Sequence, residues 1–167
     1  TGSVKKIVRE IQLRLISIGM FPLFILIIIG TDLFSFALGS QWYVAGEYAG
    51  ILGPWILLVF ITYPLSTIFS VLGKQKVELT FNILNLLSRI VVLVIGRLSG
   101  NPVVTLLLFS ITGVFFWGWM NIYILKISGI PYRICFNDYI KFFCLAFVIA
   151  IPLLVAKVLV FPAYFLF

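Results

Sequence analysis

Residues 38–75 read Leu38-Gly-Ser-Gln-Trp-Tyr-Val-Ala-Gly-Glu-Tyr-Ala-Gly-Ile-Leu-Gly-Pro-Trp-Ile-Leu-Leu-Val-Phe-Ile-Thr-Tyr-Pro-Leu-Ser-Thr-Ile-Phe-Ser-Val-Leu-Gly-Lys-Gln75. A turn holding Gly39 and Trp42 leads into an apolar helix of membrane length. Pro54 and Pro64 interrupt that helix, Thr62, Ser66 and Ser70 speckle it, and Lys74 and Lys76 stop it. Prolines and hydroxyls inside a spanning helix are tolerated where neighbouring helices or water re-satisfy the backbone. Such a helix is expected to line something rather than merely anchor the chain.

Working outward, the 167 residues are 63% hydrophobic, 17% aromatic and 10% charged, with a mean hydropathy of +1.23. A soluble domain of this size leaves too much of its chain surface in water to hide so much apolar area. The composition specifies an all-α, polytopic membrane helix bundle. Five segments have spanning length at about 1.5 Å per residue. Their expected limits are 15–30, 48–73, 79–96, 103–125 and 142–156, within one membrane domain over 1–167, and a partial span begins at 158–167. Asp32 to Leu38 is expected to lie in the interface as a short separate helix capped by Thr31 or Asp32. The short connections predict an up-down antiparallel bundle.

The net charge of +7 follows membrane topology rather than nucleic-acid binding. Lys5, Lys6, Arg9, Arg14, Lys74, Lys76, Lys126, Arg133 and Lys141 all fall on one side if the spans alternate. Arg97 and Lys157 fall on the other, and Arg89 within the membrane. The positive-inside rule then makes the N-terminus cytoplasmic in a multi-pass cell-membrane protein. Trp42, Tyr43, Tyr48 and Trp55 are expected to form an aromatic belt at the outer interface.

The third span carries the sharpest constellation. Glu78, Asn82, Asn85 and Arg89 follow at intervals of four, three and four residues, which places them within about 40° of one helical face. An arginine at helix centre costs roughly 2.5–3.5 kcal/mol on insertion scales. The stripe is therefore expected to face protein or water. Ser110, Gly113, Trp117 and Asn121 share a face on the fourth span, so the polar faces of three consecutive helices could converge on a hydrated cavity. Two readings of Arg89 stand: lining for a substrate path, or a structural role in which it snorkels or donates to carbonyls freed by Pro64. For Ser110 and Asn121 the structural role, as helix glue, is the preferred reading.

The five acids are dispersed and there is no histidine. General acid–base and metal chemistry therefore have little to work with; no enzyme, catalytic residue, metal or cofactor is expected. Cys135 and Cys144 stand nine apart, match no zinc or redox spacing, and read as free thiols.

Leu38-Gly39-Ser40-Gln41-Trp42, then Ala45-Gly46-Glu47-Tyr48 and Ile51-Leu52, resembles the polysaccharide/O-antigen (Wzx-like) flippases of the multidrug/oligosaccharidyl-lipid/polysaccharide exporter superfamily. Tyr63-Pro64-Leu65-Ser66, Leu72-Gly73-Lys74-Gln75, the Asn85–Arg89 neighbourhood and Ile95-Gly96 continue the likeness. Leu38 stands where the family's outer-loop motif has phenylalanine. The resemblance covers roughly residues 1–125. It implies a membrane transporter that moves lipid-linked oligosaccharide by alternating access. The chain would be its C-terminal portion, beginning mid-protein at Thr1 and partnered by the missing N-terminal lobe and by membrane lipids. In the family, cationic residues of the central cavity hold the substrate's diphosphate and sugars, and Arg89 is the only residue carried over to that role. The further hypothesis, on this chain's own polar faces, gives Asn85, Asn82 and Asn121 to sugar hydroxyls. A drug/cation antiporter of the same superfamily and a non-transport assembly module are the alternatives. The antiporter needs a carboxylate within the membrane, whereas Glu78 and Asp32 fall at its edges.

Overall fold

The computed structural model describes residues 2–160. Six helices and two short 3-10 turns account for nearly all of them, and no strand occurs among the described residues. The helices are α1 (Gly2–Leu38), α2 (Tyr43–Thr62), α3 (Ile68–Val71), α4 (Gln75–Ser99), α5 (Pro102–Ile127) and α6 (Tyr132–Val160). Five segments are long and apolar enough to cross a membrane: Val4–Leu38, Ser40–Val71, Gln75–Ser99, Pro102–Ile127 and Arg133–Pro152. The chain is an all-α bundle of the multi-pass membrane type.

Each reversal between long helices is made at a glycine with positive φ. These are Gly39, Gly73, Gly100 and Gly129, a backbone region that a side chain would strain. At the α4–α5 reversal Asn101 caps the new helix, its side chain accepting from the Val103 amide at 2.9 Å. Pro102 supplies the first helical position, where the missing N–H costs nothing. The α5–α6 reversal runs through Ser128–Pro131.

Three sequence expectations are corrected. Asp32–Leu38 is no separate interfacial helix, since α1 continues through it to Leu38. Nothing at Gly30-Thr31-Asp32 breaks the ladder, and Ser35 turns its hydroxyl back to the Thr31 carbonyl at 2.8 Å; the stop waits for Gly39. Second, α6 runs unbroken across the expected boundary at Ala156–Val158 and includes Pro152; residues 161–167 of the partial span lie outside the described residues. Third, the second span is continuous through Pro54 but breaks at Pro64. There a 3-10 turn over Pro64–Thr67 intervenes before α3, because proline has no N–H and its ring crowds the carbonyl one turn back. The turn repairs part of the loss locally: the Ser66 amide donates to the Tyr63 carbonyl at 3.1 Å, and the Thr67 hydroxyl to that of Pro64 at 3.2 Å.

Laterally, α1 packs along both α2 and α6, α2 continues to α5, and α5 to α4. The α1–α2 seam is set by small residues. A Cβ at Gly46 would stand 2.5 Å from the Gly30 carbonyl oxygen and 2.6 Å from the Thr31 Cα. Gly50 lies one turn on, where a Cβ would stand 3.4 Å from the Leu26 carbonyl oxygen. Close backbone approach of this kind is how helices associate in lipid, where apolar side chains gain little by leaving it. Toward the N-terminal side of the bundle, Leu65, Ile68, Phe69, Phe81, Met120 and Ile124 form one buried core. Ile16, Leu23, Phe24, Leu57, Ile61 and Ala150 form another between α1, α2 and α6. The outer face of α4 leaves Leu79, Ile83, Leu86, Ile90 and Val94 exposed, a surface suited to hydrocarbon.

Candidate functional site

Arg89 sits near the middle of α4, on the face turned to α5. Its Nη1 donates to the backbone carbonyl of Phe109 on α5. The guanidinium carbon lies 3.7 Å from the centroid of the Phe109 ring and 4.6 Å from that of Trp55 on α2. The two rings meet edge to face, with centroids 5.0 Å apart. Cation–π contacts of this kind gain strength where water is excluded. The cage exists because position 113 is glycine. A Cβ there would collide with Trp55 Cδ1 and stand 2.5 Å from Arg89 Nη2. Gly113 is one turn past Phe109, so its notch opens the path to the carbonyl.

The cage is not saturated. Arg89 Nη2, Trp55 Nε1 and Asn85 Oδ1 are buried polar atoms without a hydrogen-bond partner among the described residues. Leaving such atoms unpaired costs about 1–3 kcal/mol each, and in hydrocarbon no water repairs the loss. Two of these atoms, on Trp55 and Arg89, belong to the cage itself; the third, on Asn85, lies one helical turn away along α4.

A second polar cluster, unanticipated from the sequence, lies toward the N-terminal side of the bundle. Gln12 on α1 donates through Nε2 to Asn121 Oδ1 on α5 at 3.3 Å. The Asn121 Nδ2 donates to the Thr62 hydroxyl on α2 at 3.1 Å. Tyr139 on α6 donates to the same Asn121 Oδ1 at 3.4 Å, and Cys135 Sγ donates to Gln12 Oε1 at 3.5 Å. Gln12, Thr62, Asn121 and Cys135 are all at most 3% exposed. One asparagine therefore ties four helices together. Close by, Arg9 of α1 pairs with Asp138 of α6 at 3.1 Å.

The expected site residues are thus divided. Arg89 and Asn85 share the α4–α5 seam. Asn121 is eight residues past Gly113, about 12 Å farther along α5 at helical rise, and belongs to the other cluster. Ser110 is buried on the inner face of α5, Glu78 is half-buried and Asn82 is exposed. The hydroxyls of the second span separate in the same way: Thr62 joins the Asn121 cluster, Ser66 is buried and Ser70 is exposed. The carbonyl that Arg89 reaches is Phe109's rather than one freed by Pro64.

Sequence reasoning missed Trp55 and Phe109, having placed Trp55 in the interfacial belt; Trp42 and Tyr43, 46% exposed each, do stand outward. The available signal was Gly113, a residue without a side chain on a polar face beside large aromatics. Gln12 gave a similar hint, as an uncharged amide on the apolar side of an otherwise basic turn.

Cys135 and Cys144 are free thiols, one buried and one exposed. Among the described residues no group of histidine, cysteine or acid could hold a metal ion. A cavity that touches an expected site residue lies away from Arg89. It is a cleft of about 630 Å³ between α2, α5 and α6, with Asn121 in its wall. The chain matches no protein-family model, no curated protein and no solved structure.

Proposed function

We propose that this chain is part of a cell-membrane flippase that moves lipid-linked oligosaccharide or polysaccharide repeat units by alternating access, in concert with a second lobe. The observation that carries the reading is the unsaturated cage: among the described residues Arg89 Nη2 and Trp55 Nε1 are buried donors without acceptors, and one turn away along α4 Asn85 Oδ1 is an acceptor without a donor. A phosphate or diphosphate supplies acceptor oxygens for the two donors, and guanidinium–phosphate bonds are among the stronger charge-assisted pairs. A sugar hydroxyl supplies the donor that Asn85 lacks. In the closed arrangement these atoms are covered, so substrate reaches them when α4 and α5 move apart, as an alternating-access cycle requires.

The likeness of the Leu38–Gln75 stretch and of the Asn85–Arg89 neighbourhood to the polysaccharide exporters supports the same substrate class. On this reading the N-terminus is cytoplasmic, in keeping with the basic residues gathered at that end of the bundle. The test is flipping of an isoprenoid-diphosphate oligosaccharide in proteoliposomes that hold the protein with its complementary lobe. Arg89→Ala is expected to lower the initial rate at least tenfold, with Arg89→Lys recovering only part of it, because a lysine lacks the planar fork. Wild-type rates in both variants at equal protein would remove Arg89 from the substrate path.

A further inference from the structure

The 630 Å³ cleft between α2, α5 and α6 lies apart from the Arg89 cage. It exists because α6 leans on α1 and leaves α5 largely to one side. Its walls are Leu58, Gly118, Ile122, Leu125 and Phe136, and its mouth carries Arg133 and Asn137 at the start of α6. Arg133 and Asn137 are four residues apart and so share one face of that helix. Arg133 is exposed and forms no ion pair among the described residues. The nearby carboxylate of Asp138 is already held by Arg9 at 3.1 Å. An unneutralised guanidinium and an amide thus stand at the polar end of an apolar cleft, on the basic side of the bundle.

The dimensions narrow the occupant. From Leu125 to Gly118 the cleft follows α5 for about 10 Å at helical rise, a third of the roughly 30 Å that a spanning helix needs. It is too short to seat another spanning helix, and it lies within one leaflet. The volume falls within the range of about 300–1,000 Å³ typical of small-ligand sites. An acyl chain fits the apolar wall, and an anionic phospholipid brings its phosphate to the mouth at the same time. The polar groups deeper in the wall, Asn121 and Tyr139, are engaged with one another at 3.4 Å, so the depth of the cleft offers little to a sugar or another polar ligand.

We propose that this cleft is a seat for one anionic phospholipid of the leaflet on the N-terminal side. Its phosphate lies on Arg133 and Asn137, and the upper part of one acyl chain lies against Leu58, Ile122 and Phe136. The seated lipid fills the gap between α5 and α6 and braces the Asn121 cluster from outside. The seat does not depend on the flippase reading.

The experiment is native mass spectrometry of the purified chain in neutral detergent, titrated separately with phosphatidylglycerol and phosphatidylcholine of identical acyl chains. The wild type is expected to retain one phosphatidylglycerol, with at least fivefold preference over phosphatidylcholine. Arg133→Ala should reduce that preference below twofold. Ile122→Trp, which fills the cleft, should remove the retained lipid of either kind, while Arg97→Ala at the far end of α4 leaves it in place. Millimolar inorganic phosphate should not displace the lipid, because the chain contributes to holding it. Equal retention of the two lipids by the wild type, an undiminished preference in Arg133→Ala, displacement by phosphate alone, or a stoichiometric protein subunit occupying the cleft would each overturn the proposal.

Discussion

Two buried polar clusters lie about 12 Å apart along α5, and they are built on opposite terms. Around Asn121, Gln12, Thr62, Tyr139 and Cys135 supply a donor or an acceptor to one another across four helices. Around Arg89 a cation is held by a carbonyl and two aromatic rings, while three polar atoms go unpaired. A saturated network rigidifies the helices that share it. An unsaturated one costs free energy and persists only where something else selects for it. The first cluster therefore reads as the clamp of the bundle, and the second is the one on which the proposed function rests.

The largest effect that tests this division is steric. Gly113→Leu drives a side chain into Trp55 and Arg89, and overpacking of this kind typically costs about 1–3 kcal/mol. With the cage also disrupted, the upper end of that range is expected, read as a lower unfolding midpoint in bicelles. A Gly113→Leu protein within experimental error of wild type would mean that the α4–α5 seam is loose and the cage incidental.

Next in size is Asn121→Leu, which leaves Gln12, Thr62 and Tyr139 short of partners. A loss of about 2 kcal/mol is expected, since orphaned buried polar groups cost roughly 1–3 kcal/mol. Should unfolding in the same bicelles change by less than a quarter of that, the clamp assignment fails. A double-mutant cycle between Thr62→Val and Asn121→Leu isolates one bond of the network. The expected coupling is about 0.6 kcal/mol and at most about 1.7, as for hydrogen bonds between helices in lipid; zero coupling would show that the two side chains do not communicate.

The smallest stability effect is expected where the contrast is sharpest. Asn85→Leu removes an acceptor that has no partner among the described residues, so stability should stay within about 1 kcal/mol of wild type or rise, while on the proposed flippase reading flipping falls. If Asn85→Leu instead destabilises as much as Asn121→Leu, the two clusters are of one kind and the comparison collapses.

Much of the architecture was legible along the chain. Runs of Leu, Ile, Val and Phe long enough to cross hydrocarbon, punctuated by Gly39, Gly73, Gly100 and Gly129, marked the helices and their reversals. Arg89 and Asn85 were legible as a shared face because helical periodicity is a local property. The interfacial helix at Asp32–Leu38 was misread because Gly30 looked like a stop. It is a contact instead, opposite Gly46, where a Cβ would meet its carbonyl. Trp55 was misread for a related reason: a span expected to start at residue 48 put it near the outer end, whereas the helix starts at Tyr43 and carries Trp55 well inside it, against Gly113 of α5.

By itself, then, the sequence determined a membrane helix bundle and which residues on each helix share a face. Those properties follow from composition and from the 3.6-residue repeat. Tertiary structure alone decided that Asn121 joins Gln12, Thr62 and Tyr139 rather than Arg89, that Trp55 and Phe109 cage the guanidinium, and that α6 leaves a cleft beside α5. In lipid the apolar side chains gain little by choosing one neighbour over another. The pairing of helices is left to close backbone approach at glycines and to scarce polar groups finding partners, and neither can be read from one helix at a time.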